Sequence, residues 1–163
     1  MNATPITGVQ IATGVFMAAM LRVAFTVFCY WALLIAFGVF SISESWDVIP
    51  ITMFAAGAFA AVILGVTAKV TKEDFFMTIL GRLIIMPMFL FSGTFFPLES
   101  MPQYLQPIGW ISPLWHATEL GRHFSYGYSI PGSVILIHFA YLALLLISGL
   151  SLANRAFTAR LAK

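Results

Sequence analysis

Long apolar segments with almost no charge are the feature that most constrains this sequence. Residues 48–68 carry no charged side chain, and residues 13–40 carry one, Arg22. A helix of about 20 mainly apolar residues is long enough to cross the hydrocarbon core of a bilayer. Over the whole chain 61% of residues are hydrophobic and 9% are charged, against about 25% charged in a soluble domain. The sequence therefore predicts an all-α membrane protein rather than a soluble globular one.

Four apolar segments are predicted to span the membrane within a single transmembrane domain over residues 1–163. In the second of them, Gly57, Ala61 and Gly65 recur every four residues, which places small side chains on one face and predicts close helix packing. In the third, Pro87 predicts a kink and Gly93 the end of the regular helix. The four predicted spans cover residues 13–40, 48–68, 75–96 and 132–153.

A proline-rich segment separates the third span from the last. We predict that residues 97–128 form a re-entrant or interfacial helical hairpin instead of another crossing. Its first helix is predicted at about 101–110, and its second begins with Ser112 as N-cap and Pro113 at the first helical position and runs to about His123. The prolines that interrupt a single span here are Pro97, Pro102, Pro107, Pro113 and Pro131.

The charges predict an orientation for this four-span bundle. Cytoplasmic loops of membrane proteins are enriched in Lys and Arg, so we expect both termini in the cytoplasm and the chain in the plasma membrane. Arg22 and Arg82 are predicted near the starts of their spans as anchors that snorkel to the surface; a substrate-facing role is the alternative for Arg22. The cations assigned to the cytoplasmic side are Lys69, Lys72, Arg82, Arg155, Arg160 and Lys163, and the anions assigned to the opposite side are Glu44, Asp47 and Glu99.

Few residues of the sequence suggest a catalytic, metal-binding or proton-transfer role. His116, Glu119 and His123 share one helical face, which is compatible with a divalent metal and an intramembrane enzyme. The other interpretation is that Glu119 pairs locally with Arg122 or a histidine. His138, the ionisable group of the last span, is either a core histidine or a proton relay. No phosphate-binding loop pattern is present, and a net charge of +2 does not favour nucleic acid as a partner.

Residues 89–122, FLFSGTFFPLESMPQYLQPIGWISPLWHATELGR, resemble the signature region of ABC-2 type export permeases. The chain looks most like the branch of nodulation lipo-oligosaccharide and daunorubicin exporters. Residues 3–7 also resemble the end of the cytoplasmic loop that precedes the third span of the family. Family members have about six spans, and this chain matches the last four, so it is expected to be N-terminally truncated relative to them: a fragment, or a short permease.

The resemblance implies a transport subunit without catalytic residues, a cofactor or a metal of its own. Such permeases pair as dimers, homomeric or heteromeric, and each half binds a separate ATPase subunit that hydrolyses ATP. The substrate would be an amphiphilic drug, lipid or lipo-oligosaccharide; a non-transporting membrane scaffold is the further alternative. The implied candidate gate comprises Phe95, Phe96, Pro97, Trp115, His116, Glu119 and Arg122, and the implied ATPase-coupling residues are Thr4, Pro5, Lys69, Lys72, Glu73 and Asp74.

Overall fold

The structure is a computed structural model that describes residues 6–70 and 73–162. Within these ranges all regular secondary structure is helical, which confirms the predicted all-α class. The helices are α1 Gly8–Ala36, α2 Ile42–Ser45, α3 Val48–Thr67, α4 Glu73–Ile79, a π-helix Leu80–Ile85, α5 Met86–Leu90, a 3-10 helix Leu98–Ser100, α6 Gln106–Ile111, α7 Pro113–Tyr126 and α8 Gly132–Leu161.

Three of the described helices, α1, α3 and α8, are long and apolar enough to cross a membrane. They form the frame of the molecule, with α3 packed against both α1 and α8. The small residues of α3 explain the close packing. A Cβ added to Gly149 would lie 2.4 Å from the carbonyl carbon of Ala61, and one added to Gly65 would lie 2.7 Å from the Gly149 carbonyl oxygen. The stripe of Gly57, Ala61 and Gly65 is buried in this packing, as its spacing predicted.

The third predicted span, residues 75–96, differs from the other three. The structure has a helical stretch at 73–90 that consists of α4, the π-helix and α5, about 27 Å long at 1.5 Å per residue. Pro87 explains the π-helix: it lacks an N–H, and its ring clashes with the carbonyl four residues earlier, at Leu83, so that turn widens. The membrane crossing of this stretch stays a prediction.

The two arginines expected near the starts of their spans lie near the helix midpoints instead. Because α1 begins at Gly8, Arg22 falls close to its middle. The neighbouring Met20 packs against Gly57, with its sulfur 3.3 Å from a Cβ built there, and Gly57 is central in α3. Arg82 lies in the π-helix, in the middle of the 73–90 stretch. To reach the near surface, each arginine side chain would therefore have to extend further than the sequence indicated.

The two ends of the bundle differ in composition. At one end, which we call the cation end, Arg160 Nη2 donates to the Val70 carbonyl 2.6 Å away, and Gly8 of α1 packs against Thr158 of α8. The start of α1, the end of α3 and the end of α8 thus meet there. The hairpin, residues 97–128, lies at the opposite end with Glu99. Lys69, Arg155, Arg160 and Glu99 thus lie at the ends that the charge pattern predicted, whereas Arg82 lies midway and Lys72 and Lys163 fall outside the described residues.

Candidate functional site

The second hairpin helix, α7, is anchored to the frame by a small apolar core. Leu120 of α7 is fully buried, and it clusters with Ala55 and Ala58 of α3 and Leu142 of α8. The predicted start of this helix is correct: Ser112 occupies the N-cap position and Pro113 is the first helical residue. The first hairpin helix is shorter than expected, since α6 covers only Gln106–Ile111. The core fixes which side of α7 faces the membrane-crossing helices.

A pair of buried histidines joins α7 to α8. The Nδ1 atoms of His116 and His138 are 2.7 Å apart, and the two residues are 5% and 2% exposed. His116 Nε2 lies 2.9 Å from the Trp110 carbonyl. Because a carbonyl can only accept, His116 carries its proton on Nε2 in the neutral ring. Its Nδ1 then accepts from His138 Nδ1–H, so both nitrogens of His116 are used.

Aromatic side chains enclose this histidine pair. Tyr141 of α8 stacks on the His116 ring with centroids 4.0 Å apart, and its hydroxyl donates to the Ile111 carbonyl. Trp115 contacts both histidine rings edge to face. Burial lowers the pKa of His116, and the hydrogen bond to the Trp110 carbonyl partly opposes that shift. The neutral pair therefore acts as a joint between the hairpin and α8, and the term histidine joint below means His116 with His138.

Arg122 forms an ion pair within α7 and a hydrogen bond that ties α7 to the turn that follows α5. Arg122 Nη1 lies 2.9 Å from Glu119 Oε1, and Arg122 Nη2 donates to the Gly93 carbonyl. Gly93 has φ of 78°, a left-handed conformation that favours glycine. Burial raises the pKa of Glu119, while the neighbouring Arg122 guanidinium lowers it. The local pairing of Glu119 with Arg122 is the alternative that the sequence left open, and the structure shows it.

A cavity of about 260 Å³ opens beside this ion pair. The buried indole nitrogen of Trp115 has no hydrogen-bond partner within the described part of the chain. The cavity therefore offers charges of both signs and an aromatic wall. Its lining residues are Pro97, Leu98, Glu99, Trp115, Glu119, Arg122 and Tyr128.

The structure brings only part of the predicted gate together. Pro97, Trp115, Glu119 and Arg122 line the cavity, whereas His116 faces α8. The two phenylalanines lie outside it: Phe95 packs edge to face on Phe89, with ring centroids 5.2 Å apart, and Phe96 is exposed.

Sequence reasoning missed several contributors to this region, among them Tyr141, Gly93 and Tyr128. Tyr141 had a signal, because it lies three residues after His138 and so shares its helical face. Gly93 was read only as a helix end, although its carbonyl accepts from Arg122. No local pattern marks Tyr128 as a cavity residue, since its placement depends on how the chain leaves α7.

The three residues proposed as metal ligands have separate partners. His116 belongs to the histidine joint, Glu119 pairs with Arg122, and His123 Nδ1 donates to the Tyr128 carbonyl at 2.6 Å. Among the residues that the structure describes, no group of three or more His, Cys, Asp or Glu side chains is placed to hold a metal ion. The geometry therefore does not favour the metalloenzyme alternative.

The predicted ATPase-coupling residues are covered only in part. Thr4, Pro5 and Lys72 lie outside the described residues, and Glu73 and Asp74 are placed in the first turn of α4 as backbone only. Lys69 is exposed at the cation end. It lines a shallow cavity of about 410 Å³ together with Arg155 and Arg160.

Comparison with known proteins decides the family. The ABC-2 type transporter family matches residues 1–126. The chain belongs to this family. As an ABC-2 type transporter chain with three candidate membrane-spanning helices among its described residues, it is a multi-pass membrane protein.

One curated relative illustrates the extent of the likeness. The ABC-2 chain is 31% identical to nodulation protein J of Neorhizobium galegae over 108 residues, which is 64% of this chain and 40% of that protein. The match therefore spans less than half of the relative. No solved structure matches the chain.

Proposed function

We propose that the chain is the permease subunit of an ABC exporter, which moves an amphiphilic substrate out of the cell with ATP hydrolysed on a separate subunit. The observation that carries this proposal is the polarity of the bundle. A hairpin with a mixed-charge cavity covers one end, and the cations Lys69, Arg155 and Arg160 lie at the other. Family membership supplies the class of process.

The cation end is where we place the ATPase. Under the positive-inside rule this end faces the cytoplasm of the plasma membrane, with both termini inside. The end of α3 and the end of α8 are linked there by the Arg160–Val70 hydrogen bond. A partner that pushes on this end would therefore move both helices together.

The hairpin end is where we place the exit. α7 is held to α8 by the histidine joint and to the turn after α5 by Arg122. Opening the exit would require α7 to move relative to one of these two attachments. Thr94 and Thr118 mark the second attachment, with their hydroxyl oxygens 3.5 Å apart.

A second copy of the chain is expected to complete the pathway. The frame leaves large apolar side chains of α1 exposed, among them Leu21, Phe25 and Phe28. In a bilayer these contact lipid or another membrane helix, and a dimer would give a pathway between two copies. Homodimer and heterodimer remain equally compatible with this surface.

A reversible lock on the hairpin tests the proposal. The double variant T94C/T118C, in a C29S background that removes the natural cysteine, brings two thiols close enough for a disulfide after a small adjustment. Inside-out vesicles that contain the chain and a P-loop ATPase from the same genome are assayed for ATP-dependent uptake of a fluorescent amphiphile. Oxidation should reduce uptake to background and a reductant should restore it, while each single-cysteine variant is unaffected.

Three outcomes separate the alternatives. Uptake that falls when the disulfide forms and returns when it is reduced supports an exporter with a hairpin gate. An ATPase that co-purifies with the chain without any uptake indicates a scaffold. Neither ATPase binding nor uptake, with every candidate ATPase of the genome, contradicts the proposed function.

A further inference from the structure

Arg82 lies within the third predicted span. It is placed in the π-helix in the middle of the 73–90 stretch, roughly 12–14 Å from either end at 1.5 Å per residue. Half of the hydrocarbon core of a bilayer is about 15 Å thick. A stretch that crosses the bilayer therefore carries Arg82 near the bilayer centre.

The C-terminal end of this stretch is hydrogen-bonded to the hairpin. Arg82 therefore lies on the side of that contact that is nearer to the cation end. Ser112 Oγ lies 3.4 Å from the Met88 carbonyl, and the Gly93 carbonyl accepts from Arg122. Arg82 comes six residues before Met88, so it lies about 9 Å along the helix axis towards the cation end. It is separate from the cavity beside Glu119.

Arg82, which is itself exposed, lines a second, open and largely apolar cavity. Its volume is about 580 Å³, within the range of small-molecule sites. Arg82 is the one charged residue among those that line it; the others include Met86, Phe89, Phe91 and Phe95. Phe89 and Phe95 support each other edge to face. The cavity thus combines a single cation with an aromatic wall.

Arg82 has no ion-pair or hydrogen-bond partner among the described residues. A charged side chain at this depth is costly unless it meets an opposite charge or water, and intramembrane ionisable residues often mark substrate pathways. π-helical turns also occur often at functional sites. Pro87 already accounts for the π-turn here, so the unpaired cation is the observation that marks this position.

We propose that the Arg82 cavity binds an amphiphile from the bilayer, with its anionic head group on the guanidinium and its hydrocarbon chain against Phe89, Phe91 and Phe95. Charge complementarity selects this occupant. A cation without a partner is compensated by an anion, and an apolar wall favours an acyl or aryl chain. The idea that the bound molecule is also the exported one rests on the proposed function.

The other cavities provide a contrast within the same molecule. The one beside Glu119 holds carboxylates as well as Arg122, so it does not select for anions. The one between α1 and α3 is lined by residues such as Thr26, Trp31 and Thr52 and by no charged side chain. Of these membrane-level cavities, the Arg82 cavity alone combines one uncompensated cation with an apolar wall.

Photo-crosslinking with two matched probes tests the proposal. The chain is reconstituted into bilayers with an alkyl phosphate that carries a diazirine in its chain, or with the same alkyl chain ending in phosphocholine. Labelled positions are mapped by peptide mass spectrometry. The alkyl phosphate should label residues 86–95 about tenfold more than the zwitterionic probe does, the ratio expected from one charge-assisted hydrogen bond. Excess inorganic phosphate should not compete, because it lacks the chain.

Arginine variants supply the matched controls. R82Q should reduce alkyl phosphate labelling to the zwitterionic level, and R82K should keep most of it. R22Q removes a cation at similar depth that does not line the cavity, and it should leave labelling unchanged. Equal labelling by the two probes, or an equal loss in R22Q and R82Q, would overturn the proposal.

The same variants separate this site from the proposed function. If R82Q abolishes preferential labelling while the chain shows no ATP-dependent uptake, the binding site stands and the exporter assignment fails. If uptake is observed but labelling is the same in R82Q as in the wild type, the exporter assignment stands and the proposed binding site is wrong. Size-exclusion profiles of each variant verify that the fold is retained.

Discussion

The α3–α8 interface and the 73–90 stretch are both apolar, yet they are used in opposite ways. At the interface, Ala58, Ala61, Leu142 and Ala153 are fully buried. In the stretch, Leu83 is 72% exposed and Met86 is 66% exposed. Hydropathy does not distinguish these two regions, because both are rich in apolar side chains.

Side-chain size makes the difference. Without a hydrophobic driving force between helices in lipid, association depends on close van der Waals contact, which small residues permit. The α3–α8 interface has them, so its backbones touch at Gly65 and Gly149. The 73–90 stretch presents bulky side chains and touches the rest of the described chain mainly through the hairpin. The first region is a rigid frame, and the second is a surface free to meet lipid, substrate or another subunit.

The largest expected effect comes from adding one methyl group to the frame. In G149A the new Cβ would lie 2.4 Å from the Ala61 carbonyl carbon, so the helix backbones must separate. We expect the free energy of unfolding to fall by about 2–4 kcal/mol, measured by thermal unfolding in detergent. If G149A unfolded at the same temperature as the wild type, the α3–α8 interface would be less tightly packed than the structure shows.

The next effect tests whether the hairpin is packed as tightly as the frame or as loosely as the exposed 73–90 stretch. In H138L the His116 Nδ1 lone pair loses its donor inside the protein, which should cost about 1–3 kcal/mol. The double variant H116L/H138L should cost less than the sum of its single variants, because it leaves no histidine nitrogen without its partner, and the Trp110 carbonyl loses its donor equally in H116L and in the double variant. Additive losses, measured in the same unfolding assay, would mean that the histidine joint does not form.

A smaller effect is expected from pH. The pKa of His116 is lowered in the folded protein, so the unfolded chain binds more protons between that lowered pKa and the usual value of about 6.5. Stability should be complete above about pH 6.5 and decline as the pH falls below it. Melting temperatures of the wild type and of H116L/H138L between pH 8 and pH 5.5 isolate this contribution. An identical slope in both would assign the pH dependence to other groups.

The smallest effect completes the comparison with G149A. A Cβ added to Gly81, in the 73–90 stretch, meets nothing within 4 Å. G81A should therefore leave stability unchanged or raise it by up to about 1 kcal/mol, because alanine favours helix over glycine. Unfolding of G81A and G149A side by side is the measurement. A large loss in G81A would show that another element packs against this face.

Much of the hairpin was predictable from local pattern, while its contacts were not. Pro113 marks the start of α7 because its fixed φ suits the first helical position, although the Ser112 hydroxyl at the N-cap position faces the Met88 carbonyl and makes no capping hydrogen bond. The metal-site interpretation of His116, Glu119 and His123 came from helical spacing alone. Spacing places side chains on one face but does not show that a histidine of another helix lies 2.7 Å from one of them. The polar partners of α7 come from α8, the turn after α5 and the loop after α7.

The positions of Arg22 and Arg82 along their helices were also not predictable from the local sequence. Charge counting placed Arg22 and Arg82 near a surface because helix starts were read from where hydropathy rises. The structure extends α1 back to Gly8, where a capping box of Thr7 and Gln10 begins the helix. The earlier start of α1 puts Arg22 at its midpoint, and the end of the regular helix at Leu90 instead of residue 96 puts Arg82 in the middle of its stretch.

By itself, the sequence determined the class of this protein: apolar runs with few charges, small residues at helical spacing and a proline-broken hairpin are local properties that each have one physical consequence. The tertiary structure alone decided which buried groups meet. It joined His116 to His138, paired Glu119 with Arg122 and placed Arg82 beside an aromatic cavity without a polar partner among the described residues. The physical reason is that burial and pairing depend on neighbours from distant parts of the chain, which no local pattern specifies.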